Sequence, residues 1–248
     1  MMDFHIEPWR AWAPGLDSDE AWRAWASQPV RVDDGDAQPP CDFLPAMQRR
    51  RLSRLARMTM HVAWPLCSEN EQLPLVFASR HGETPRTFAL LAEVAEKQPL
   101  SPTQFGLSVH NAIAGQWSIL RGQRGESTAI AGEADTFEHA MLEAAMLLGE
   151  GAPSVLVVTA EERPPAAYGE WIKDVPFSYA LALRVGKTDT GNDARDGARW
   201  RLRLESARGD DDTAEWPHAL AWIRAQHTQS DTLIHTWKTR RWIWQRIT

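Results

Sequence analysis

Two hydrophobic patterns alternate along the chain, and together they predict strands interleaved with helices. The apolar runs LPLVFAS (73–79) and SVLVVT (154–159) do not alternate with polar residues, which suits strands covered on both faces. A looser alternation over 4–12, closed by Ala13-Pro14-Gly15, predicts a first strand. Three- and four-residue apolar steps predict helices over 45–66, 84–97, about 103–120 and 136–148. In the second of these, Phe88, Leu91, Val94 and Ala95 share a face. Ser18 before Asp19 and Glu20 reads as another helix start. The stretches 127–131, 136–148 and 154–159 make a βαβ-sized unit, and 177–185 and 200–205 add two partly alternating strands suited to an antiparallel extension. Turns rich in Gly and Asp are expected at 186–197 and 209–212, and closing helices over 213–226 and 231–247. The expected architecture is α/β, with a mostly parallel sheet between two layers of helices.

Composition narrows the classes. A chain of 248 residues, 43% apolar and 24% charged, can build a substantial core. A net charge of −6 argues against nucleic acid as the main partner. No stretch has the length of a membrane span, and MMDFHIEPWRAW lacks a signal peptide's basic and apolar regions, so a cytoplasmic protein is expected. Cys41 and Cys67 have no metal-type spacing and read as reduced structural thiols. Thirteen tryptophans against two tyrosines, several grouped near the termini, point to close packing or an interface.

The stretch GESTAIAGEADTFEHAMLEA (125–144) carries the most specific signal: a small-residue strand, a tight acidic turn, then an Ala-rich helix. With SVHNAIAGQWSILRG before it, this resembles the active-site region of the β-ketoacyl synthases of the thiolase-like superfamily. In that family a cysteine stands on a nucleophile elbow between such a strand and such a helix. Here the position falls on Ala134, or on Glu133 after a slip of one, and neither can carry an acyl thioester. The likeness is good over 73–161, looser over 4–66 and absent after 185, so we read residues 1–185 as the core and 186–248 as a divergent strand with a Trp/Arg-rich helical tail.

The resemblance implies one three-layer half of a thiolase-like fold, without the second half that holds the family's catalytic histidines and lysine. His218, His227 and His235 do not follow a strand in a Gly-rich turn, as that pattern requires. The implied function is that of a non-catalytic, chain-length-factor-like subunit in bacterial fatty-acid-like or polyketide biosynthesis, of the aryl polyene or pigment type. It would pair with a full-length ketosynthase and meet an acyl carrier protein, with a homodimer as another possibility and no cofactor. Ketosynthase dimers join corresponding strands, which places Asn111, Gly115, Ser127, Thr128, Ala129, Ile130 and Ala131 at the interface. Arg240, Arg241 and Arg246 in the tail WKTRRWIWQRIT would dock an acidic partner.

Two alternatives remain from the sequence. One is a thioester-active hydrolase or acyltransferase with a relocated nucleophile; the other is a scaffold that binds carrier protein alone. The remaining acid–base candidates are His81 with Glu83, Glu161 and Glu162 at the end of the 154–159 strand, and Glu133 with His139, which six residues keep off a common helix face.

Overall fold

The computed structural model describes residues 1–188, 198–207 and 214–247. Within them, β1 (Met2–Trp12), β2 (Leu75–Ala78), β3 (Ser127–Ile130), β4 (Ser154–Glu161), β5 (Tyr179–Lys187), β6 (Ala198–Ser206), β7 (Thr232–Trp237) and β8 (Arg240–Ile247) form a single sheet. Its order is β3-β2-β4-β5-β1-β6-β8-β7. The segment β3-β2-β4 is parallel, because helices return the chain to the same end between these strands, and every later pairing is antiparallel. β4 is buried along its whole length, as its unbroken apolar run requires.

Helices α1 (Asp19–Ser27), α7 (Thr136–Gly149) and α8 (His218–Thr228) cover one face of the sheet, around Phe4, Val157, Leu183, Trp200 and Trp244. The opposite face packs α3 (Arg54–Ala63) and α6 (Ala112–Arg121) over Phe77, Leu156 and Val158. The expected three-layer α/β architecture is present. Three further helices, α2 (Ala46–Arg49), α4 (Thr84–Ala95) and α5 (Pro102–Gly106), complete the described set. No described helix is long and apolar enough to cross a membrane.

Four expectations change. The helix expected over 45–66 is interrupted, because Ser53 caps a new helix by accepting from the Ala56 N–H. The one expected over 103–120 divides into α5 and α6. On α4 the apolar face turns outward: Phe88, Leu91 and Val94 are exposed, and only Leu90 is buried.

The fourth change is the largest. The closing segment 231–247 is a β-hairpin, β7–β8, rather than a helix. Its two-residue turn, Lys238-Thr239, places Lys238 at φ 53 without glycine or asparagine, so the usual hairpin signal is missing from the sequence. The turn expected at 209–212 lies outside the described residues, as does 189–197 of the other.

Candidate functional site

Gly132 follows β3 where the chain bends sharply into α7. The Thr136 hydroxyl accepts from the Gly132 N–H and donates to the Glu133 carbonyl, tying the bend closed. A Cβ at Gly132 would come within 3.3 Å of the Thr136 Cα and Oγ1, so this turn needs a very small residue. Glu133, Ala134 and Asp135 form its tip.

The two acidic side chains of the bend point to the hairpin. Glu133 accepts from Trp237 Nε1 at 2.7 Å and Arg240 Nη2 at 3.0 Å, and it pairs with Lys238. Asp135, fully buried, accepts from Arg240 Nε and Nη2 at 2.6 and 3.0 Å and from Trp242 Nε1 at 2.9 Å. Lys238, Trp237 and Arg240 hold the Glu133 carboxyl down at about 2. Burial alone would raise Asp135, but Arg240 and Trp242 bring it below the ordinary range. Neither residue is a free base.

In the first turn of α7, Glu138 is completely buried between two histidines. His218 Nδ1 lies 2.8 Å and His235 Nδ1 2.6 Å from separate Glu138 oxygens, and Trp244 Nε1 donates at 3.2 Å. Burial would raise this carboxyl, but the histidines hold it well below its usual range. Desolvation also lowers His235, which favours a neutral ring donating Nδ1–H to an anion. The imidazoles stack at 4.0 Å and 17°, so their Nδ1 atoms run side by side along the carboxylate. Although these are the described residues whose ligating atoms come within 4.8 Å of one another, parallel rings do not converge on one ion. The arrangement joins α7, α8 and β7.

Beside Ala134 a cavity of about 450 Å³ opens, lined by Phe137, Thr159, Glu161, Tyr179, Trp216 and His218 among others. It lies at the carboxyl end of β4, where parallel α/β sheets place their sites. Glu161 accepts from the Ser79 hydroxyl at 3.1 Å, the His81 N–H at 3.3 Å and the Arg80 N–H. Burial nevertheless pushes its carboxyl up to about 7. Burial also takes Glu162 to about 7.

The beta-ketoacyl synthase N-terminal domain family matches residues 22–245. The chain belongs to this family. The match runs past residue 185 and takes in most of the hairpin. The structure superimposes on a chain of the ketosynthase (ApeO) complex with its chain length factor (ApeC) from Xenorhabdus doucetiae, with a TM-score of 0.85 and 26% identity. That alignment covers 99% of this chain and 100% of the other. The ishigamide ketosynthase/chain length factor gives a TM-score of 0.64 at 18% identity, over 93% and 74% of the two chains. A complex titled AntDE:AntF, a type II polyketide synthase acyl-carrier protein with its ketosynthase, gives 0.67 at 10%, over 99% of each chain. These two share the fold. No curated protein matches the sequence significantly.

The other sequence candidates separate. His81 faces Asp174 at 3.0 Å, while Glu83 accepts from Arg86 and Ser53, so the two do not form an acid–base pair. His227 lies against Trp9, away from His218 and His235. His139 contacts the Asp135 carbonyl and the edge of Trp242, and does not pair with Glu133. Cys41 and Cys67 are buried in the opposite core layer, and burial raises both thiols to about 11. β3 is an edge strand, with Ser127 exposed and Thr128, Ala129 and Ile130 half-buried; Ala131, just beyond it, is exposed. Asn111, the N-cap of α6, and Gly115 within it are exposed four residues apart, in line with Ile119. Arg240 turns into the protein, the Arg246 guanidinium lies 4.8 Å over the Trp200 ring, and Arg241 is exposed. The proximity of His218 and His235 to Glu138 was not legible, because three separate elements supply the residues and no local spacing relates them.

Proposed function

We propose that the chain is a non-catalytic ketosynthase-like subunit, acting as a chain length factor does. It pairs with a full ketosynthase in bacterial fatty-acid-like or polyketide biosynthesis of the aryl polyene or pigment type, and the pair meets an acyl carrier protein. The observation that carries this reading is the elbow. The resemblance puts the nucleophile position between β3 and α7 on Ala134 or Glu133; neither can carry a thioester, and Glu133 is held by three hairpin donors. Condensation needs a thiolate to carry the acyl chain. The two cysteines are buried with raised pKa values, which disfavours a relocated thiol nucleophile.

The partner surface we assign is the free edge of β3 with the outward stripe Asn111, Gly115 and Ile119 of α6. A Cβ added at Gly115 meets nothing within 4 Å, leaving room for another backbone. Nearby on the chain, Leu91, Val94, Phe105 and Val109 are exposed apolar side chains, the kind of surface that association buries. Carrier docking through the hairpin rests on Arg241, since Arg240 is committed internally and Arg246 lies over the Trp200 ring.

The test of inactivity is mass spectrometry of the purified chain after incubation with acyl-carrier thioesters. No acyl adduct is expected, alone or beside the ketosynthase. An adduct on Cys41 or Cys67 that turns over with a malonyl thioester would overturn the reading in favour of an enzyme with a relocated nucleophile.

A further inference from the structure

The sheet ends in β3 on one side and in β7 on the other, and β7 pairs only with β8 among the described residues. We propose that this second edge is an interface between two copies of the chain, which pair β7 to β7 antiparallel about a twofold axis through Ile234.

The backbone sets the polarity of the edge. Arg246 donates to the Asp231 carbonyl, so the alternation of an antiparallel ladder turns the peptide groups of Leu233, His235 and Trp237 toward β8. Those of Thr232, Ile234 and Thr236 point the other way, and no hydrogen bond among the described residues uses them. Side chains alternate too. Leu233 packs against the core and His235 is buried against Glu138, so that row is committed within the chain. Thr232, Ile234 and Thr236 form the other row, in which Thr232 and Ile234 are exposed.

That row reads Thr-Ile-Thr, the same in both directions. Antiparallel pairing about Ile234 therefore sets Ile234 opposite the partner's Ile234 and Thr232 opposite the partner's Thr236. In that register the outward N–H and C=O groups of each copy meet those of the other as hydrogen-bonded pairs. A slip of two residues would oppose isoleucine to threonine, and a slip of one would misdirect the peptide groups.

The edge also lacks what normally deters pairing. Natural sheets protect free edges with lysine, proline or a bulge. The neighbouring strands are rich in arginine, with Arg199, Arg201 and Arg203 on β6 and Arg240, Arg241 and Arg246 on β8. β7, TLIHTW, has no Lys, Arg, Asp, Glu or Pro, and its register with β8 is unbroken. Charge is missing on the one strand of the three where it would keep a second copy away.

A contact one strand wide is small, so a dissociation constant on the order of 100 µM is expected. Sedimentation of the full chain across that range tests it, with Ile234→Lys and Ala129→Pro alongside. The parent and Ala129→Pro should dimerise alike, because β3 takes no part. Ile234→Lys places like charges opposite each other at the axis and should weaken the dimer at least about tenfold, with circular dichroism unchanged. Oxidation of cysteine variants reads the register. Residues opposite each other in a bonded pair have Cα atoms about 5.5 Å apart, within reach of a disulfide. Ile234→Cys should therefore cross-link two copies, as should Thr232→Cys combined with Thr236→Cys. Thr232→Cys alone should not, since residue 232 and its copy lie at opposite ends of the row. Cys41 and Cys67 are buried and do not compete. A parent that stays monomeric, a dimer lost in Ala129→Pro but kept in Ile234→Lys, or equal cross-linking of Ile234→Cys and Thr232→Cys would overturn the proposal. None of these results bears on ketosynthase pairing, which uses the opposite edge.

Discussion

Glu161 ends the most deeply buried strand as a carboxyl whose hydrogen bonds come from neutral donors, Ser79 and the Arg80 and His81 amides. Burial pushes it up to about 7, whereas in an unfolded chain it would titrate near 4.3. The folded protein therefore binds more protons than the unfolded chain between those values, and stability falls as pH rises through this window. The full effect is on the order of 3 kcal/mol. Glu162, raised in the same direction, adds to it. Glu161→Gln should flatten the decline, leaving Glu162 to supply the rest; urea denaturation at a series of pH values between 4 and 8 reads it directly. An unchanged slope would mean that Glu161 is ionised throughout. Sequence reading could place this residue at a strand's carboxyl end, because an unbroken apolar run precedes it. It could not give the raised pKa, which depends on a loop 80 residues away closing over the carboxyl.

At the scale of elements, the hairpin and the elbow hold each other. Trp237 and Lys238 at the turn, Arg240 just after it, and Trp242 further along β8 all donate to Glu133 or Asp135. Asp135 has no solvent exposure, so removing its guanidinium leaves a buried carboxylate with only Trp242 and the more distant His139 at 3.7 Å. Arg240→Ala is expected to lower stability by about 3 kcal/mol, the cost of breaking a buried pair from one side. Arg241→Ala should change it by less than about 0.5 kcal/mol, as ordinary surface substitutions do. Chemical denaturation of the two variants separates an internal clamp from a solvated basic face. The strands β2, β3 and β4 and the helix α7 were legible because their apolar patterns match their periods. The hairpin was not. Its Trp-Ile-Trp run lies among arginines, and its turn uses Lys238 where glycine or asparagine would have announced it. Likewise, the apolar stripe of α4 was legible as a pattern, but a pattern does not say which side of the helix meets the core, and here Phe88, Leu91 and Val94 face outward.

At the scale of the whole molecule, the sheet stops at β3, and the open edge has a definite polarity. Leu75 and Ser79 donate to the carbonyls of Glu126 and Ile130, so by alternation the N–H and C=O of Ala129 face away from β2. Such an edge invites a strand from another subunit. A proline at 129 would remove one outward donor and leave the internal ladder intact. The most direct test is native mass spectrometry of the chain mixed with a full-length bacterial ketosynthase, for the parent and for Ala129→Pro. The expected result is a one-to-one heterodimer that the proline variant weakens at least tenfold while its circular dichroism stays unchanged. A chain that remains alone or pairs only with itself, or a variant that associates as tightly as the parent, would contradict the assignment of this edge as the ketosynthase interface.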